Sequence, residues 1–192
     1  MDTTTIIIIA AITAIVVFIV GGFLGVYFSR RQRTKRLQKK FGPEYERAIK
    51  ELGDQSEAED ELDARLERVE SLDIQELSRE QKRHYAEKWQ STQVKFVDQP
   101  LVSIREADQL IKEIMVEKGY PVEDFYRRAA DISVDYPELV VNYRNMRDIV
   151  DKSNREDIST EELRQAMVHS RSLFEELLGM EVNEYANQKE KV

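Results

Sequence analysis

Residues 6–28 form an apolar run broken only by Thr13, Gly21, Gly22 and Gly25. At 1.5 Å rise per residue such a run spans about 34 Å, against a hydrocarbon core of roughly 30 Å. A cleaved export signal carries a positive leading segment and a shorter apolar stretch. Here the leading residues are Met1-Asp2-Thr3-Thr4-Thr5, with an acid and no base. The expectation is therefore a retained transmembrane anchor over 1–29, with a single crossing.

The flank supplies a direction. Arg30, Arg31, Arg33, Lys35, Arg36, Lys39 and Lys40 crowd into residues 30–41 without an intervening acid. Lysine and arginine collect on the cytoplasmic side of a span. The expected location is the bacterial inner (plasma) membrane, with the N-terminus outside and the C-terminal domain cytoplasmic. The same collar is a candidate contact for anionic lipid, each base near such a surface contributing about 1 kcal/mol. Ala10, Ala14, Gly21 and Gly25 recur at helical spacing. They form a candidate face for a homodimer through the membrane helix, since small residues let helices approach closely in lipid.

Beyond the collar the balance reverses. The chain holds 37 acids and 29 bases, and only Asp2 of the acids precedes residue 41. A domain so acidic is a poor nucleic-acid partner, because phosphate neutralisation needs clustered bases. There are 0 cysteines and 2 histidines, which removes disulfides, cysteine-ligated zinc and thiol nucleophiles.

No stretch after residue 40 alternates in strand fashion, and the periodicity is helical throughout. Gly42-Pro43 breaks the leading helix, and Gly53 closes a short one after it. Ser56 with Glu59 reads as a capping box ahead of Ala58, Leu62, Leu66 and Val69. The narrow stripe of that helix predicts a loosely held member, able to stand off as an arm. Ser78 with Gln81 repeats the device before Tyr85, Trp89, Thr92 and Phe96. Pro100 opens a helix carrying Ile104, Ala107, Leu110, Ile111 and Ile114, which Gly119 stops.

A short helix follows around Phe125 and Ala129. Asp135 is then expected to cap a helix starting at Pro137, with Leu139, Tyr143, Met146 and Val150 inward. Ser159 with Glu162 precedes Leu163, Ala166, Met167, Phe174 and Leu177, and Gly179 ends that helix. The fold class expected is all-α: one transmembrane helix, an acidic bundle of about seven helices over 42–179, and a polar tail over 180–192.

Several blocks are more particular than generic helix. They are Phe41-Gly-Pro-Glu-Tyr, Trp89-Gln-Ser-Thr-Gln-Val-Lys-Phe, Lys118-Gly-Tyr-Pro, Ser133-Val-Asp-Tyr-Pro, Asn142-Tyr-Arg and Thr160-Glu-Glu-Leu-Arg-Gln-Ala-Met-Val-His. In this order they resemble a bacterial family of small helical proteins with an N-terminal hydrophobic segment and no assigned activity. The resemblance covers roughly residues 41–178. It departs at Tyr136, where histidine is expected, and at Ser170, where an aromatic is. It implies one cooperative domain and lends no catalytic residue.

Catalytic patterns are weak. Asp131, Ser133 and Asp135 mimic a calcium loop, but Tyr136 replaces its glycine and Asn142 its final glutamate. Phosphate-binding glycine loops and Gly-x-Ser-x-Gly elbows are missing from the sequence. Neither a cofactor nor a metal is expected. Tyr85, Trp89, Phe96 and Tyr143 are candidate core or pocket aromatics. The functional expectation is an interaction or scaffold protein, tethered to the membrane, with an unknown protein partner and no catalysis. The alternative is a sensor holding a small apolar ligand around Trp89.

Overall fold

The computed structural model describes the backbone of residues 3–121, 124–153 and 158–182, and the side chains of these from residue 18 onward. The described residues form eight helices and no strand: α1 (Thr3–Phe41), α2 (Pro43–Leu52), α3 (Gln55–Glu70), α4 (Arg79–Phe96), α5 (Pro100–Lys118), α6 (Phe125–Asp135), α7 (Pro137–Lys152) and α8 (Thr160–Leu178). The chain divides into two compact units, Met1–Lys40 and Phe41–Val192.

The expectation of a transmembrane helix is corrected in the first unit. Among the described residues no helix is long and apolar enough to cross a membrane. The side chains of residues 6–17, half of the expected span, lie outside the described residues. The described apolar part runs only from Phe18 to Phe28, which at 1.5 Å per residue is about 16 Å against a core of roughly 30 Å. α1 then continues unbroken into the basic stretch. The inner-membrane location with a cytoplasmic domain rested on that span and falls with it. Ala10 and Ala14 lie outside the described side chains, whereas a Cβ added at Gly21 or Gly25 would meet nothing within 4 Å. In the collar Arg30, Arg31, Lys35, Arg36, Lys39 and Lys40 are exposed and Arg33 is half-buried.

In the second unit, local chemistry sets the helix ends. Ser78 and Ser159 each accept a backbone N–H three residues on, and Gln81 and Glu162 return the bond, so both capping boxes are complete. Proline opens α2, α5 and α7, where its missing N–H has no intrahelical partner to lose. Gly53, Gly119 and Gly179 close helices in the left-handed conformation. At Gly119 the requirement is double. Its φ is +94°, and a Cβ there would stand 2.6 Å from the Asp73 carbonyl oxygen, where the 71–78 loop crosses the end of α5.

Two caps differ from expectation. α3 begins at Asp54 rather than Ser56: the Asp54 carboxylate accepts from Glu57 N at 2.9 Å, and Glu59 instead receives the Tyr45 hydroxyl at 2.8 Å. Asp135 ends α6 and accepts the Tyr120 hydroxyl, while α7 starts from Tyr136 without a side-chain cap.

The apolar interior is built mainly by α4, α5, α7 and α8. α8 packs on both α5 and α7, and α4 folds back on α5 across a three-residue turn. Trp89 of α4 stacks on Phe174 of α8 with ring centroids 4.4 Å apart. Around them Ile104, Ile111, Ile114, Met115, Leu173 and Leu178 are fully buried. Leu66, Leu139 and Val150, expected inward, are only half-buried, and Val140 takes the inward place on α7.

α3 is not a free arm. It packs on α2 and on α6, with Ala58 and Leu62 fully buried and Val69 nearly so. Its narrow apolar stripe is supplemented by ions: Arg68 Nε and Nη2 reach Asp131 Oδ1 at 2.8 and 2.7 Å.

Candidate interaction site

The four candidate aromatics do not form one pocket. Trp89 is fully buried in the stack with Phe174, and its indole nitrogen has no hydrogen-bond partner among the described residues. Tyr85 lies one turn earlier, at the floor of an open groove between α4 and α5. Phe96 reaches the end of α4 and is half-buried. Tyr143 belongs to another cluster, its ring 5.0 Å from Phe125.

The α4–α5 groove encloses about 720 Å³ and is bordered by Glu80, His84, Lys88, Glu113 and Glu117 among others. Its charges answer each other across the helices: Lys88 Nζ lies 2.8 Å from Glu113, and Gln81 donates to Glu117 at 2.6 Å. The Lys88 hydrogen bond lowers the Glu113 pKa despite partial burial. Burial, followed by the charges of Glu117 and Glu113, pushes the Tyr85 hydroxyl up to about 12. A phenol so placed stays protonated at neutral pH and acts only as a hydrogen-bonding edge.

Tyr143 sits in the polar centre of the domain. Its hydroxyl donates to Asp108 Oδ1 at 2.6 Å and accepts from Arg128 Nε at 2.8 Å. Arg128 Nη2 stands 3.6 Å from the same carboxylate oxygen, and Lys112 Nζ holds the other at 3.0 Å. Burial, then the Asp108 charge, raises the Tyr143 pKa, while Arg128 opposes the rise. Three helices, α5, α6 and α7, supply this cluster of Asp108, Lys112, Phe125, Arg128 and Tyr143, and the Arg147 guanidinium of α7 lies over the Phe125 ring.

A second polar seam joins α2 to α7. Glu44, 1% exposed, receives Arg144 Nε and Nη2 at 3.3 and 2.9 Å, with Arg65 Nη1 at 3.9 Å. Sequence reasoning gave no buried role to Glu44, Asp108, Arg128, Asp131 or Arg144. Asp108 was detectable in principle, because it stands four residues after Ile104 and three before Ile111, on the inward face. A charge at an apolar position signals a buried partner.

Chemically these clusters are closed. Glu44, Asp108, Arg128 and Arg144 are answered by other side chains, and Asp131 by Arg68, although Asp131 Oδ2 is buried with no hydrogen-bond partner among the described residues. Among the described residues no group of three or more histidine, aspartate or glutamate side chains is placed to hold a metal ion.

What remains open is apolar. The turn between α4 and α5 carries Val94, Val97 and Val102 at 75%, 82% and 42% exposure, beside half-buried Phe96. No family model, curated protein or solved structure matches the chain.

Proposed function

We propose that this chain acts by interaction, as a scaffold or adaptor that docks a protein partner and performs no reaction of its own. The observation that carries this reading is the valine-bearing end of the α4–α5 hairpin. Three branched apolar side chains stand in solvent there, next to a helix pair whose inner face is fully packed. An exposed apolar patch gains about 25 cal/mol for each Å² removed from water, and marks contact surfaces more often than bare surface. The sensor reading fares worse. A ligand at Trp89 would have to part the Trp89–Phe174 stack.

The test is site-specific photo-crosslinking in the native cell, with the reactive group at Val97. A discrete adduct is expected, and it should vanish in a Val94→Ser/Val102→Ser background that still folds. An adduct pattern indistinguishable from that of a probe at exposed Glu80 on α4 would sink the reading.

A further inference from the structure

The inward stripe of α5 runs Ile104, Ala107, Ile111, Ile114 and then Lys118, each three or four residues after the last. Lys118 is only 9% exposed. Asp108, on the same helix, is answered by Lys112, but among the described residues no carboxylate pairs with the Lys118 ammonium and no hydrogen bond reaches it. Its Nζ is not one of the unpartnered atoms sealed from water, so the stem is buried and the tip touches solvent. The charged groups facing it are Glu76 from the 71–78 loop, Lys82 from the start of α4 and Asp135 from the end of α6. Gln75 N donates to the Lys118 carbonyl at 2.8 Å and pins that loop beside it. Asp135 is engaged by the Tyr120 hydroxyl. Lys82, half-buried, also has no ion-pair partner among the described residues, and its Nζ lies 3.1 Å from where a Cβ on Gly179 would stand. Burial pushes the Lys118 pKa below its ordinary value; Lys82 adds to the fall, while Glu76 and Asp135 oppose it.

We propose that Lys118 is a site of Nε-acylation by small acyl phosphates, with Lys82 holding the phosphate of the donor. The free amine is the nucleophile, and a lysine is activated by apolar surroundings or by a neighbouring cation; Lys118 has both. Lys82, nearer the surface, stays charged and meets the anionic end of the donor. The Nζ lone pair attacks the acyl carbonyl carbon, and the C–O bond to the phosphate oxygen breaks. Inorganic phosphate leaves with that electron pair, and the amine proton passes to water. The product amide is neutral, so it suits buried surroundings better than the ammonium did. The pair sits at the opposite end of the α4–α5 hairpin from the valine tip, and the chain here receives a reaction rather than performing one.

The probe is acetyl phosphate, incubated with the full chain near neutral pH, with acetylation followed peptide by peptide in the mass spectrometer. Lys118 should acetylate at least about fivefold faster than the exposed Lys50 and Lys152. Inorganic phosphate should slow the reaction at Lys118 with acetyl phosphate, but not with N-acetylimidazole, a donor that carries no phosphate. Lys82→Gln should slow acetyl phosphate at Lys118 by about threefold more than it slows N-acetylimidazole, since only the former loses a charged contact. Circular dichroism checks that this variant keeps its helices. A Lys118 rate equal to or below that of Lys50 and Lys152 would overturn the proposal, marking either an ordinary solvated ammonium or one the donor cannot reach. Equal slowing of both donors by Lys82→Gln, with no protection by phosphate, would overturn the part given to Lys82.

Discussion

Tyr143→Phe tests the polar centre of the domain. The ring survives the change, so its contact with Phe125 and the Arg128 guanidinium 5.8 Å above it are retained. Only one oxygen is lost, and with it an acceptor for Arg128 Nε and a donor to Asp108 Oδ1. Hydrogen bonds to charged groups contribute about 1.5–3 kcal/mol each. These two share an atom, so they do not add fully. Lys112 still holds Asp108 Oδ2, and the 3.6 Å approach of Arg128 Nη2 can shorten. The expected loss is about 2–4 kcal/mol.

Urea unfolding measures it, read by the fluorescence of Trp89, the chain's 1 tryptophan, which unfolding brings into water. With a slope of about 1–3 kcal/mol per molar, the midpoint should fall by roughly 1–2 M at unchanged slope. Arg128→Met should cost more, about 3–5 kcal/mol, because Asp108 then keeps a buried charge with one counter-ion fewer. The triple change Asp108→Leu/Tyr143→Phe/Arg128→Met should be milder than Arg128→Met alone, since the one charge that loses its partner, Lys112, is within reach of water. A midpoint shift below about 0.3 M for Tyr143→Phe, or a triple variant weaker than every single one, would refute this account.

Trp89→Ala should cost about 3–5 kcal/mol in the same assay read by circular dichroism, and Trp89→Phe far less, because its smaller cavity is offset by loss of an unpartnered buried N–H. Gly119→Ala should lose more than the roughly 1–2 kcal/mol of left-handed strain alone, since its Cβ also meets the Asp73 carbonyl; a thermal midpoint unchanged from the parent would contradict the geometry. Burial lowers the His169 pKa below its ordinary 6.5. The unfolded chain therefore takes up that proton first, so stability is full above pH 6.5 and declines as pH falls below it, levelling once the folded form also protonates. His169→Gln should flatten the decline in thermal midpoint between pH 7 and 5.5, and an unchanged slope would place the acid sensitivity elsewhere.

Much of the helical frame is readable from local chemistry. Ser78 with Gln81, Ser159 with Glu162, and the proline and glycine stops act within one turn of the chain, so the sequence exposes them directly. The stripe from Ile104 to Ile114 is likewise inward as its spacing requires. What sequence reading misses is pairing at distance. Glu44 meets Arg144 across 100 positions, and Asp108 meets Tyr143 across 35. No spacing rule links such residues. Glu44, Asp108 and Arg144 each resemble one more surface charge in a chain that is 34% charged.

The aromatic stripe misled for a related reason. Tyr85, Trp89 and Phe96 share a helical face, but a face can run from groove to core to tip along its length. α3 looked detachable because its apolar stripe is narrow, whereas its attachment depends on Arg68 and Asp131. The membrane span was read from composition, and the described residues supply only its second half.

The two kinds of interior divide the work of holding the domain together. Where α5, α7 and α8 meet, large side chains interlock and disfavour sliding by shape alone. The α2–α3 hairpin also meets α6 and α7, and its buried apolar residues include the small Ala48 and Ala58, which constrain register weakly. Here the ions decide. Sliding α3 by one turn along α6 would move Arg68 about 5.4 Å and strip Asp131 of its guanidinium, leaving that carboxylate buried without a counter-ion. Sliding α2 along α7 would do the same to Glu44. Buried pairs of this sort add little net stability over apolar residues of equal volume, yet they make every wrong register expensive. The placement of α2 on α7 and of α3 on α6 is thus set by Glu44–Arg144 and Arg68–Asp131, two pairs that join residues far apart in the sequence.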